Sequence, residues 1–465
     1  MKKYFSPAVV SVAIAFVFIA FNKNAVAANW CPNPCDRVCP APCDPVCRAQ
    51  HSFGTYLTEK SVFESPLFDN QLIGRNSKSR IQFYGWLQTG ITVNNRGAKH
   101  SYGPGPSVYL YNNRYNRDGS LRRVGFNDLS GNSYMLMTEQ QTNWKLNQIW
   151  LGARRDLTNR FDWGFQADFL YGTDPRYARN WGDQSFDYHW GSGDHFATFS
   201  QLFGTIGTRN LHVRVGKFAG AFSHEGLAAP REYFYTHSYL CFGRPLTVHG
   251  VTVEWKPNQR WTFSSGWVSG VMTSFDNPFN DSGFLGKATY HFTKDMSLSY
   301  HIFYNDRGAR PVRPYNDFGA HNGLIECHNI LILRWKLSPR WSYMGEIAYM
   351  DSETRARAGG TVHARSWGVN NHLIYTINDQ WSVGVRGEYH HSVRSMFDNT
   401  AITGGQGGDM WAVTLAAHYK INPKTTFRPE IRYDRANYNN GFRPFGGDGS
   451  KKDQLSGGVS FIVMF

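Results

Sequence analysis

Seven times between residues 154 and 435 the chain repeats one plan: an alternating run of apolar and polar residues, a short polar turn, then a second alternating run led by an aromatic. VTVEWKPNQRWTFSSGWV (251–268), ATYHFTKDMSLSYHIFY (288–304), LILRWKLSPRWSYMGEIAY (331–349), HLIYTINDQWSVGVRGEYHH (372–391) and TLAAHYKINPKTTFRPEIRYDR (414–435) are the clearest copies. RRDLTNRFDWGFQADFLYG (154–172) and the tighter GTRNLHVRVGKF (207–218) complete the set. A period of two is a strand signal, and Pro, Asn, Asp and Gly at the turns supply the backbone angles of tight hairpins. Long polar connections separate the hairpins: 95–143, 173–196, 219–243, 275–282, 306–323, 352–361, 393–408 and 437–452. A first strand near 80–93, seven hairpins and a last strand at 453–465 bring the total to about 16. An even count of antiparallel strands closes on itself with both ends on the short-turn side.

Short turns alternating with long loops mark a transmembrane antiparallel up-and-down β-barrel of the outer-membrane kind, with short periplasmic turns and long extracellular loops. The last strand, LSGGVSFIVMF (455–465), places Leu455, Gly457, Val459, Phe461, Val463 and Phe465 on one face. A soluble protein rarely leaves such an edge unpaired, so this face is expected to meet lipid while the strand pairs with the first. Charges facing lipid cost roughly 2–4 kcal/mol each at mid-membrane, which forces the register elsewhere. Arg386, Glu388 and His390 turn inward against outward Trp381, Val383, Val385 and Tyr389. Likewise Arg428, Glu430, Arg432 and Asp434 turn inward against Phe427, Pro429, Ile431 and Tyr433, and Asp162, Gln166 and Asp168 against Trp163, Phe165 and Phe169. The 15 Trp, 25 Tyr and 33 Phe then have a place. Trp255, Trp261, Trp335, Trp341 and Trp381 flank tight turns as an inner girdle, and Tyr171, Tyr300, Tyr349, Tyr389 and Tyr433 form an outer one.

The N-terminus reads as a secretory signal peptide over residues 1–27: Lys2 and Lys3, an apolar run from Ala8 to Phe21, and Ala25-Val26-Ala27 as the cleavage site. Its removal takes three lysines and no acid from a net charge of +14, leaving +11. No later segment is long and apolar enough for a membrane helix. The basic balance is dispersed, without a Lys/Arg block or a nucleic-acid module.

YGWLQTGITVN (84–94), WKLNQIWLGARRD (144–156), DFLYGTDPRYARN (168–180), VRVGKFAGAFSHEG (213–226), YFYTHSYLCFGRPLTVHGV (233–251) and the terminal Phe465 resemble the β-barrel porin-2 (OmpL-like) family, abundant in planctomycete-type bacteria. The resemblance covers roughly 80–465. It implies a porin-like outer-membrane barrel and no particular solute. Where members commonly carry a carboxylate after the glycine of CFGRPLTVHG, this chain has Arg244.

Residues 28–79 form a Cys/Pro-rich tail and linker, expected on the periplasmic side. CPNPCDRVCPAPCDPVC sets Cys31, Cys35, Cys39, Cys43 and Cys47 four apart, and its five prolines forbid a regular helix. Export makes disulfides the expected fate. An odd count leaves one thiol free, paired with Cys241 or Cys327, or bonded to another chain. The segment is either a disordered tail or a tether to another copy or an envelope partner. Without Cys-x-x-Cys pairs or a histidine partner it is not read as a metal site.

The functional expectation is a porin-like channel for passive diffusion of small hydrophilic solutes with a mild anion preference. Its pore-lining candidates are Arg386, Glu388, Arg428, Glu430, Arg432 and Asp434 on the wall, and His224, Glu225, Arg231 and Glu232 on an inward-folded loop, 219–243. Arg176, Arg179, Arg307, Arg310 and Arg313 add positive charge in the loops, where solvation or lipopolysaccharide phosphate is the plain alternative. Phe465 resembles the signal read by the barrel-assembly machinery. The alternative is a structural barrel anchored through its cysteine tail. No nucleophile signature accompanies the scattered histidines, so neither an enzyme nor a cofactor is expected.

Overall fold

A computed structural model of the protein describes residues 81–96, 144–180, 186–187, 189–192, 195–219, 222–242, 244, 246–271, 273, 275, 277, 280–307, 324–355, 361–394, 407–438, 443, 445 and 451–465. The signal peptide, the cysteine run, segment 28–79 and most of the long connections lie outside the described residues.

The strands are β1 (Ile81–Asn94), β2 (Lys145–Arg155), β3 (Asp162–Gly172), β4 (Gly191–Ser192), β5 (His195–Gly207), β6 (Leu211–Ala219), β7 (Thr247–Trp255), β8 (Trp261–Val271) and β9 (Asp281–Thr293). They continue as β10 (Met296–Arg307), β11 (Leu324–Lys336), β12 (Trp341–Arg355), β13 (Thr361–Thr376), β14 (Trp381–Arg394), β15 (Gly408–Asn422), β16 (Thr425–Tyr438) and β17 (Asp453–Met464). β4 is a two-residue flap on β5; β3 pairs with β5 directly, so sixteen long strands make the wall. Every pairing is antiparallel and follows chain order. β17 returns to β1 in a register running from Trp86↔Met464 to Asn94↔Ser456, which closes the barrel. Phe465 extends the closure, its N–H donating to the Gly85 carbonyl at 3.0 Å.

All seven expected hairpins form. Their turns are fixed by side chains that substitute for missing backbone partners. Asn258 Oδ1 accepts from the amides of Arg260 and Trp261, Asn378 Oδ1 from those of Gln380 and Trp381, and Ser338 Oγ from those of Arg340 and Trp341. The tryptophan that ends each turn then meets a cross-strand tyrosine. Trp261 lies 4.7 Å from Tyr290, Trp341 4.7 Å from Tyr375, and Trp381 4.5 Å from Tyr419 between ring centroids. These pairs build the short-turn girdle on the outer surface.

The period of two sorts the side chains as expected. Trp163, Val215, Val383, Leu415, Ile431, Leu455 and Val463 are exposed on the outer wall, while Asp168, Arg386, Arg428, Arg432, Asp434 and Ser460 are buried inside. The interior is mostly polar along β14–β16, and along β17 and β1–β3 buried polar groups stand beside the apolar side chains of Trp86, Trp150, Leu170 and Ile462. Along β8–β13 it is partly apolar, with Val268, Phe303, Ile330, Ile332, Met344 and Ile374 all buried on the inner side.

Candidate functional site: an inward loop on a charged ladder

Between β6 and β7 the chain enters the barrel. Residues 222–242, Arg244 and Leu246 pack against three parts of the wall, with a short 3-10 turn at Ala229–Arg231 and one helical turn at Tyr239–Phe242. A loop inside a barrel has backbone amides and carbonyls that no ladder pairs, and leaving them unpaired is costly. The inner faces of β14 and β16 supply the partners.

On these faces the charges alternate in steps of two: Arg428, Glu430, Arg432 and Asp434 on β16, Arg386 and Glu388 on β14. The arginines take carbonyls. Arg428 Nη1 donates to Glu232 O at 2.7 Å and Ala229 O at 3.2 Å, Arg386 Nη1 to Thr236 O, and Arg432 Nη1 to His237 O at 3.0 Å. The carboxylates take amides. Glu430 accepts from the N–H groups of Tyr235 (2.8 Å) and Thr236 (3.3 Å) and from the Thr236 hydroxyl, and Glu388 accepts from the N–H of Tyr239 at 2.8 Å. Asp434 accepts from the Tyr239 hydroxyl. Between themselves the rungs are ion-paired: Arg386 with Glu225 and Glu388, each at 3.0 Å, and Arg432 with Glu388 and Asp434, each at 2.8 Å.

The loop is also tied to itself. Glu225 Oε2 accepts from the Ser238 amide and hydroxyl at 2.7 and 2.6 Å, and Glu232 Oε1 from the Gly226 amide at 2.7 Å. These two acids have opposite electrostatics. Burial pushes Glu225 up, but Arg386, His372 and His237 outweigh it and hold its carboxyl at about 2. Burial, reinforced by Glu225, raises Glu232 well above the carboxylate range.

The loop's other flanks are apolar. Phe222, Phe234 and Leu240 join Phe303, Ile330, Ile332, Met344 and Ile374, with the rings of Phe222 and Phe303 4.8 Å apart. Here Arg244 pairs with Glu346 of β12 and donates to the Phe222 carbonyl at 2.8 Å. Leu227, Ala228, Ala229, Cys241 and Leu246 cover Trp86 and Trp150, stacked at 4.4 Å on β1 and β2. Gln148 joins wall, loop and the neighbouring turn Asp174–Tyr177: Nε2 donates to Leu227 O and Asp174 Oδ2, and Oε1 accepts from the Ala229 amide. Burial raises the Asp174 carboxyl to about 6, against the pull of hydrogen bonds from Gln148 and Asn147.

The structure therefore brings eight of the ten singled-out residues into one network: Arg386, Glu388, Arg428, Glu430, Arg432, Asp434, Glu225 and Glu232. They meet loop atoms and one another. His224 stands at the edge of this network, its ring 5.3 Å from that of His372, which pairs with Arg386 across β13–β14 and lies 3.7 Å from Glu225; half-buried Arg231 ends the 3-10 turn. Arg176 and Arg179 are buried, whereas Arg310 and Arg313, the Arg307 side chain and all five tail cysteines lie outside the described residues. Cys241 is buried and Cys327 half-buried, and among the described residues neither forms a disulfide. Gln148, Asn147, Trp86, Trp150 and Glu346 carry much of the loop's seat and were not singled out in the sequence.

An inward loop seated on an ion-paired wall is a porin-like arrangement, and the comparisons agree. The family model described as "Putative beta-barrel porin-2, OmpL-like" matches residues 123–465. The chain belongs to this porin family. Among solved structures it is similar to the outer-membrane channel DcaP of Acinetobacter baumannii, with 11% identity, TM-score 0.53, 83% of this chain covered and 97% of that one. It is also similar to the trimer form of OmpT, an outer-membrane protein of Vibrio cholerae, with 12% identity, TM-score 0.51, and coverage of 83% and 99%. At such identities these likenesses concern the fold. No curated protein sequence matches the chain. The protein is thus an outer-membrane porin-like channel.

Proposed function

We propose that this porin passes small hydrophilic solutes by passive diffusion, with loop 222–246 as the constriction and a mild preference for anions. The observation that carries the reading is the match between ladder and loop: wall cations meet loop carbonyls and wall carboxylates meet loop amides, so the loop is held at a fixed position across the lumen. A held loop narrows a barrel of sixteen strands, which is otherwise wide enough for water. Arg386 and Arg432 are paired with carboxylates, so the ladder adds little net field. The anion preference rests on the overall charge of +11 once residues 1–27 are removed. Phe465, at the closing seam, serves recognition by the barrel-assembly machinery, and the cysteine tail lies on the short-turn, periplasmic side. Catalysis forms no part of this reading.

A second reading is favoured by how thoroughly the loop packs on both apolar flanks: a closed barrel that anchors the outer membrane through its cysteine-rich tail. Swelling of liposomes containing the protein separates the two. Entry of small neutral and anionic solutes, anions faster than cations of equal size, supports the channel. Folded barrels that admit none of them support the anchor.

A further inference from the structure

Where the inward loop leans on β1 and β2, the wall departs from strict alternation. Gln88 pairs with Gln148 and Thr89 with Leu146, so Asn147 is an extra residue on β2. Asn147 and Gln148 are in consequence both buried, beside buried Gln88. Bulges of this kind re-aim side chains and are frequent next to functional sites.

Between this bulge and the loop is a largely enclosed chamber of about 10 Å³, room for one water-sized body. Its polar lining includes Gln88 and Asn147 of the wall, Asp174 of the neighbouring turn, and Glu232 and His237 of the loop. Asp174 and Glu232 are both buried, and among the described residues neither is ion-paired. Asp174 accepts only from neutral donors: Gln148 Nε2 at 2.8 Å, the Thr173 hydroxyl at 3.1 Å and Asn147 Nδ2 at 3.3 Å. Glu232 Oε1 takes the Gly226 amide, and Oε2 accepts no hydrogen bond among the described residues. Arg428 gives its N–H groups to Ser460 and to the carbonyls of Ala229 and Glu232 instead.

Two more acceptors on the chamber go unused. Gln88 is 4% exposed, and its Oε1 meets no donor among the described residues. His237 is 6% exposed, and its Nε2 lies 3.0 Å from the Gly226 carbonyl, which can only accept. The ring proton is therefore on Nε2, and Nδ1 is a lone pair without a donor.

Buried carboxylates are paired or bind metal ions. Two of them balance the charge of one divalent cation. Among the described residues no three His, Cys, Asp or Glu side chains form a metal centre, which sets a zinc-type site aside. Carboxylate and amide oxygens are instead what calcium takes, about six to eight of them. Magnesium keeps several of its waters, for which this chamber has no room.

We propose that one calcium-type divalent cation binds in this chamber on oxygens of Asp174, Glu232, Gln88 and Asn147, clamping the inward loop to β1–β2 and to the turn at Asp174–Tyr177. This holds whether the barrel conducts or only anchors. Without the cation, burial favours the protonated forms of both acids.

The test is calorimetric titration of calcium chloride into the full-length barrel, refolded without lipopolysaccharide and stripped with EDTA, at neutral pH. The wild type is expected to bind one calcium per chain, and bound calcium to raise the heat-unfolding temperature until EDTA is added. E232Q and Q88L are each expected to weaken binding by about tenfold or more. D409N, which alters a carboxylate of β15 paired with His391 far from the chamber, is expected to bind as the wild type does. Q88L, which changes no charge, decides the matter if E232Q does not fold. A wild type that binds no calcium, wild-type affinity in either E232Q or Q88L, or an equal loss in D409N would overturn the proposal.

Discussion

Arg386 Nη1 lies 3.0 Å from Glu225 Oε1 and also donates to the carbonyl of Thr236, so one wall cation holds both limbs of the inward loop. Both charged side chains are almost wholly buried. Removing one partner of a buried pair costs about 3–5 kcal/mol, because the other charge is left uncompensated. R386A should therefore release the loop and leave the wall intact. The expected outcome is a larger, noisier single-channel current and new protease cleavage within 222–246. R386A/E225Q should recover part of the loss, as a coupled pair requires.

Gly384 of β14 is where the loop's Tyr233 touches the wall. A Cβ there would stand 2.4 Å from Tyr233 Cε1. The ring cannot slip aside, since it stacks on His418 at 3.9 Å and its hydroxyl donates to Ser382. G384V should displace the loop without altering any charge, at a cost of about 1–3 kcal/mol typical of overpacking. The check is conductance: a rise like that of R386A, with ion selectivity unchanged.

Asp174 gives the loop's seat a pH dependence. Its carboxyl rises from 3.8 to about 6 when buried beside Gln148 and Asn147. The native state thus holds this proton more tightly than the unfolded chain. The associated stability is fully present below pH 3.8 and is lost as pH rises through about 6. Tighter proton binding of this size corresponds to about 3 kcal/mol. Glu225, lowered from 4.5 to about 2, contributes in the opposite sense, and its contribution is complete only above about pH 5. Glu232, raised well above the carboxylate range, adds to the loss at higher pH in the same sense as Asp174. The heat-unfolding temperature of the wild type should fall between about pH 5.5 and pH 7, and D174N should reduce that fall, leaving the part that Glu232 contributes. An equal fall in D174N would show that Asp174 is not its source.

Closure at the seam rests on the last residue. Phe465 exchanges backbone hydrogen bonds with Gly85, and a Cβ on Gly85 would meet its ring at 2.4 Å. Deleting Phe465 removes the final β1–β17 pair and should lower the folded fraction on refolding. G85V should do the same by pushing the ring away, with heat-modifiable mobility as the readout for both.

The wall was legible in the sequence because a charge cannot face lipid. That one constraint set the register of 380–391 and 425–434 and so named Arg386, Glu388, Arg428, Glu430, Arg432 and Asp434. Their partners were not legible. Thr236 and Glu430 are 194 residues apart, and no local pattern encodes a contact of that separation. Nor did alternation reveal Gln148: adjacent Asn147 and Gln148 are both buried, and the β1–β2 register shifts beside them, between Gln88 and Thr89. Ile330, Ile332 and Met344 hid for another reason. Leu331 and Leu333 on the opposite face are also apolar, so nothing in 330–333 distinguished lumen from lipid.

The central claim is a conducting barrel narrowed by a held loop. Single-channel recording of the purified protein in planar bilayers, with the reversal potential read under a salt gradient, tests it most directly. Stable ohmic steps, smaller than those of R386A and with a reversal shifted toward the anion potential, are the predicted result. A folded barrel that stays silent, both as wild type and as R386A, would contradict it.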